Sequence, residues 1–322
     1  MPEINYGGQA VMEGVMMRGE REMAVCVRHP SGAIISHREP LPQSIYRSRV
    51  SKWPFFRGLV TLWDALGLGM RALIWSADVA LSEEEDIQFS GPLGWATVAA
   101  SVAFGIGLFF LLPVFLVSTA DRHITSPLFS NLVEGVIRLG IFVLYVWGIS
   151  FLPDIRRVFA YHGAEHKTIS AYEHGAPLNT EDVMAYSRAH TRCGTGFLLI
   201  VLLIFILLSL FIGRVPLVWR LLSRLVLIPV VAGISYECIK LASKYYERSV
   251  IARVLAAPGL ALQRLTTREP DPDMVEVSIQ ALKEVLYAEG LLEREAEEVT
   301  LATLKKDSAK TGRVAAPAPA DT

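Results

Sequence analysis

Little in this sequence would cross-link a secreted domain or attract nucleic acid. Its three cysteines, Cys26, Cys193 and Cys238, are odd in number, widely spaced and never arranged as CxxC, which argues against a disulfide framework and a four-thiolate zinc site. A reducing, cytoplasm-facing setting fits. Lys and Arg total 31 against 32 Asp and Glu, so no basic excess marks a nucleic-acid partner. Charge is scarce at 20%, while 52% of residues are hydrophobic and gathered into blocks, the pattern of a polytopic membrane protein. The start, MPEINYGGQA, lacks a basic-then-apolar leader, so no cleaved signal peptide is expected and insertion would be directed by an internal span. No internal repeat is visible. "GLGMRA" at 67–72 formally matches a dinucleotide-binding fingerprint, but it follows no strand and is rejected.

What is present reads as a mainly α, polytopic membrane protein with small soluble ends. Residues 1–53 form an N-terminal cytoplasmic β-rich region, in which "MAVCVRH" and "AIISHRE" flank the turn signal "PSG" and read as a hairpin. Residues 54–82 read as an amphipathic or re-entrant helix opened by Pro54. Its charges, Arg57, Asp64, Arg71 and Asp78, recur every seven residues and so fall on one seam of alternating sign. That seam either faces water along an interfacial helix or pairs with polar groups of neighbouring helices. Four spans follow, at 92–120, 131–152, 194–213 and 216–238, the first of them free of charge and His and the second carrying Glu134 and Arg138 one turn apart. Lys and Arg are frequent before the first span and between the second and third (Arg156, Arg157, Lys167, Arg188, Arg192), which puts both termini in the cytoplasm; Arg214, Arg220 and Arg224 count against it. Residues 239–292 read as C-terminal cytoplasmic helices interrupted by the "PG" at 258–259, the last helix carrying an apolar stripe of Met274, Val277, Ile279, Leu282, Val285 and Leu286. Low apolar content predicts a disordered tail over 293–322.

Chemistry concentrates in the cytoplasmic loop 153–193. "YHGAEHKTISAYEHG" at 161–175 holds three of the seven histidines, and His162 and His166, four apart, project from one face of a helix. With Glu165 they make H-x-x-E-H, in which two imidazoles hold a divalent ion, zinc being the expected one, and the carboxylate serves as general base. A third ligand must come from elsewhere. Glu237, an acid near the cytoplasmic end of an apolar helix, is the favoured source, with pairing to Lys240 as the bland alternative. His190 and Cys193 are the other candidates, and Arg192 could lower the thiol's pKa. Glu173 returns to the same helix face eleven residues after His162, about 16 Å along the axis and too far to share the ion. In the N-terminal "GGQAVMEGVMMRG", Glu13 is a lone acid among Met and Val that wants a partner, either Arg18 or the His-rich loop. The alternative for the whole loop is a hydrogen-bonded polar cluster packed on the bilayer surface.

"GGQAVMEGVMMRG", "YHGAEHKTISAYEHG", "HTRCGTGFLLIV" and "PGLALQRLTTREPDPDMVEVSIQALKEVL" together resemble the YqhQ-like family of bacterial membrane proteins, over residues 5–288. One departure is Thr191, where the family is expected to carry Pro or a basic residue. The resemblance implies a bacterial cell-membrane location and a metal-dependent enzyme. The combined expectation is a metal-dependent, zinc-type hydrolase at the cytoplasmic membrane surface, acting on a protein or lipid-linked substrate; the alternative is a non-enzymatic scaffold, regulator or assembly factor.

Overall fold

A computed structural model describes residues 6–42, 53–82, 91–120, 124, 126–213, 216–246 and 248–293. The chain is mainly helical and opens with a small antiparallel sheet. Four strands, β1 (Gly7–Val11), β2 (Gly14–Arg18), β3 (Glu22–Arg28) and β4 (Ile34–Pro40), pair in chain order. The expected "PSG" hairpin is β3–β4, with Gly32 at φ +88° in its loop. Two further strands precede it: the glycine-rich GGQAV and GVMMR also pair, Val11 against Gly14, through a two-residue turn that holds Glu13 at φ +49°.

Strand alternation gives the sheet two apolar faces. Val15, Met17, Ala24 and Cys26 point to one core, shared with α5 (Pro153–Glu173) and α10 (Pro272–Ala288). Val11, Met16, Met23, Val25 and Val27 point to the other, against Leu68 and Ala72 of α1 (Phe56–Ala80). Every residue of the expected stripe on α10 is buried in the first core. Truncating one, such as Leu282, removes about 2–5 kcal/mol of packing.

Three charges of the α1 seam pair with other elements, although Arg71 stays exposed to water. Arg57 bonds Glu237, Asp64 meets Arg18 at 3.0 Å and Arg71 meets Glu39 at 3.0 Å. Trp63 and Leu66, on another side, are left exposed, at 80% and 61%.

Among the described residues three helical stretches are long and apolar enough to cross a membrane: Gly94–Thr119, Pro127–Ile149 and Val218–Tyr245. The first comprises α2 (Pro92–Ile106), a π-helical turn (Gly107–Leu111) and α3 (Leu112–Ala120). The second is α4 (Pro127–Ile149), and the third lies in α8 (Leu217–Tyr245). Between them are the short α6 (Thr180–Met184) and the apolar α7 (Gly194–Ser209), shorter than the other three. The expected break at 258–259 does not occur: α9 (Val250–Thr266) runs through Pro258. Its Gly259 lies against Gly196 of α7, where an added Cβ would stand 2.9 Å from the opposing Cα, so the two helices cross in close contact. Inside the bundle, Glu134 pairs with Arg138 as expected and also receives Arg220 and Arg224, which turn inward. Arg214 and all but the first residue of the 293–322 tail lie outside the described residues.

Candidate metal centre

α5 is delimited by local signals. Pro153 supplies a fixed φ at the first helical position and Asp154 an acid in the first turn. At the other end Gly175, at φ +71°, closes the helix with Ala176 N donating to Ala171 O and Gly175 N to Tyr172 O, a Schellman arrangement. Midway, a Cβ at Gly163 would stand 2.1 Å from the Arg268 carbonyl, so this turn lies flush against the chain leaving α9. The two histidines flanking that contact are therefore held against fixed backbone.

His162 and His166 stack along α5 with ring centroids 4.4 Å apart. Cys193, the residue that leads into α7, completes the group: one ring nitrogen from each histidine and the Cys193 sulfur lie within 4.8 Å of one another. Sγ is 3.3 Å from His162 Nε2 and 3.1 Å from Thr195 Oγ1. Each imidazole is oriented from behind. His162 Nδ1 donates to the Thr266 carbonyl at 2.8 Å and His166 Nδ1 to the Arg188 carbonyl at 2.6 Å. Carbonyls only accept, so each ring carries a proton on Nδ1, which leaves Nε2 as the nitrogen open to a ligand. The His166 Nε2 atom is buried and has no hydrogen-bond partner. Burial lowers the His166 pKa, only partly opposed by the nearby Cys193, so this ring is neutral, the ligating form.

Polar clasps fix the loop that delivers Arg188, His190 and Cys193. Lys167 Nζ donates to the Met184 and Tyr186 carbonyls, each at 2.8 Å, and meets Glu269 at 2.7 Å. Gln263 holds the His190 backbone from both sides, accepting its N–H at 3.0 Å and donating to its carbonyl at 2.8 Å. The His190 ring lies beside the group, 5.6 Å from that of His166, with Nε2 3.5 Å from Glu173. Burial lowers its pKa, and the Glu165 charge works against that shift.

Glu165 is wholly enclosed. Burial raises its pKa, opposed by the charges of His162 and His190 and by the backbone N–H groups of Gly8 and Ala10 on the outer edge of β1. Its Oε2 has no hydrogen-bond partner.

The remaining expected residues lie elsewhere. Glu237 does not join His162 and His166: its carboxylate accepts Arg57 Nε at 2.7 Å and the Phe55 N–H at 3.1 Å, fastening α8 to α1. The expected i,i+3 alternative with Lys240 is not its principal partner either. Glu173 bonds Arg192 as well as His190. Glu13 receives Arg157 through two bonds of 2.6 and 2.5 Å, with Tyr161 Oη donating at 3.4 Å, so its partner comes from the His-rich helix. Arg18 serves Asp64. Sequence reasoning missed Gln263 and the Thr266 carbonyl; the signal was the polar run Gln263, Thr266, Thr267 ending an apolar helix.

A family described as "Protein of unknown function (DUF1385)" matches residues 53–288. Among curated proteins, "Uncharacterized protein YqhQ" of Bacillus subtilis (strain 168) is 36% identical over 307 residues, covering 90% of this chain and 94% of that one. No solved structure matches.

Proposed function

This chain belongs to the DUF1385 family of proteins of unknown function, and from that premise we propose that it is a metal-dependent hydrolase of the bacterial cytoplasmic membrane, with its site on the cytoplasmic surface. The observation that carries the reading is the buried, unpartnered His166 Nε2 facing a second imidazole and a thiol, with both rings locked from behind in the ligating tautomer. A donor set of two nitrogens and one sulfur suits zinc, and three protein ligands leave a fourth position for water or substrate. His162, His166 and Cys193 would hold the ion, which supplies a water ionisable near neutral pH and polarises a carbonyl or phosphoryl oxygen. Glu165, one residue from His166 and raised in pKa by burial, would take the proton of the attacking water and return it to the leaving group.

Topology supports four crossings. The N-terminal sheet, α5 from the middle of the chain and α10 from its end share one apolar core, so all three lie on one side of the bilayer. That arrangement favours an even number of crossings between the sheet and α5, which α2–α3 and α4 would provide, and between α5 and α10, which α7 and α8 would provide. By the same logic α1 does not cross; it lies along the surface with Trp63 and Leu66 toward lipid. The basic segments then face the cytoplasm.

The substrate would be a protein or a lipid-linked molecule presented at the membrane surface.

The test is elemental analysis of the detergent-purified protein beside the His162→Ala, His166→Ala double variant. About one metal ion per chain, absent from a folded double variant, is the expected result; no metal under any reconstitution overturns the reading. One observation favours a non-enzymatic scaffold instead: Glu165 receives the edge amides of β1 and so has a structural use. Glu165→Gln separates the two, since an enzyme keeps its ion and loses turnover, whereas a scaffold keeps both its ion and its role in the cell.

A further inference from the structure

The bundle holds a second set of ionisable side chains with no part in the metal reading. Glu134 and Arg138 stand one turn apart on α4, and Arg220 and Arg224 one turn apart on α8. All four are buried. Glu134 Oε1 accepts Arg138 at 2.8 Å and Arg224 at 3.2 Å, and Oε2 accepts Arg220 at 2.7 Å, so both carboxylate oxygens are engaged. Arg138 then turns to neutral partners. Its Nε donates to the Phe109 carbonyl at 2.9 Å, a group in the π-helical turn whose usual partner four residues on would be Pro113, which has no N–H. Its guanidinium lies 4.7 Å from the centre of the Phe205 ring. Arg224 gives Nη2 to Asn131 Oδ1 at 2.9 Å, and its Nη1 is buried with no hydrogen-bond partner.

Even with Arg220 left out of the count, two guanidiniums share one carboxylate inside an apolar bundle. A guanidinium keeps its proton in proteins, so it cannot relieve the cost by neutralising itself. Uncompensated charge at membrane depth is costly, and an anion is the compensation that electrostatics demands. An approach exists. Ser126, Ser130, Asn131, Glu134 and Arg138 descend α4 at helical spacing, and Glu134 lies about 10 Å and Arg138 about 16 Å from Pro127 along the axis. Guanidinium forks match the paired oxygens of a phosphate group.

We propose that Arg224, flanked by Arg138 and Arg220, binds a phosphate-type anion between α4 and α8, supplied either by a lipid headgroup or by free phosphate. This site stands independently of the His/Cys centre.

The full chain is reconstituted in nanodiscs of phosphatidylcholine, of phosphatidylcholine with inorganic phosphate added, and of phosphatidylcholine mixed with phosphatidylglycerol. The thermal unfolding midpoint is followed in each for the wild type, Arg224→Gln and Arg224→Lys. The wild-type midpoint is expected to rise with the anion, with apparent affinity about ten-fold weaker in Arg224→Lys, which keeps the charge and loses the fork, and no response in Arg224→Gln. A rise with phosphatidylglycerol alone identifies a headgroup, and a rise with phosphate identifies the free anion. A wild-type midpoint indifferent to both overturns the proposal, and so does an equal response in wild type and Arg224→Lys. These last two tests stand even if Arg224→Gln does not fold.

Discussion

The His/Cys cluster and the arginine cluster both bury polar side chains, and they tolerate burial by opposite means. At the first, burial lowers the pKa of His166, a backbone carbonyl fixes its proton on Nδ1, and Nε2 is left without a partner. At the second, the groups are permanently charged and are held by opposite charge, with Glu134 as the hub of three arginines. A neutral cluster can be built on backbone, because a carbonyl is enough to orient an imidazole. A charged one cannot, and it needs side chains from several helices to converge. The first therefore depends on loop clasps such as Lys167 and Gln263, the second on the packing of whole helices.

That contrast can be broken in order of expected effect. Glu134→Ala leaves three arginines without their carboxylate and is expected to cost about 3–5 kcal/mol, read as a lower unfolding midpoint in detergent. A loss below 1 kcal/mol would erase the distinction between the two clusters. Removing metal with a chelator should be milder. For a free-ion level about a hundred times Kd, the wild type loses about 2.7 kcal/mol, and the His162→Ala, His166→Ala variant loses nothing. Chelation that lowers both midpoints equally would show that the histidines do not hold the ion. Smallest is Glu13→Ala. Its pair with Arg157 is partly solvated, at 28% and 53% side-chain exposure, so about 0.2–1 kcal/mol is expected from the lost pair, and the positive φ is unaffected because alanine keeps its Cβ. Denaturant midpoints measured on all three proteins place them on one scale.

Much of the site's frame was legible in the sequence because it is local. Pro153 and Gly175 mark the ends of α5, spacing puts His162 above His166, and the stripe on α10 gives its buried side. Which residue joins the two histidines depends on which distant segment returns, and Cys193, an alternative to the favoured Glu237, is the one that does. Glu237 attracted the assignment as an acid in an apolar helix. The seam of α1 held the counter-signal, since Arg57 also needed a partner, and the two satisfy each other. β1 and β2 escaped notice because their glycines and methionines are weak strand signals, whereas β3 and β4 are β-favouring runs that flank the PSG turn. The arginines of α8 read as an exception to the charge rule only while they were assumed to face outward.

The shared core of sheet, α5 and α10 has a consequence for biosynthesis. β4 ends at Pro40 and α10 begins at Pro272, so at about 5–20 residues per second the strands wait on the ribosome for on the order of ten seconds to a minute before their last partner is made. Through that interval Val15, Met17, Ala24 and Cys26 gain α5 as a partner but not α10, so their core stays incomplete until the last helix is made. The soluble layer thus closes only after the bilayer-facing part is laid down, which makes truncation within the last helix a route to aggregation instead of to a shorter working protein.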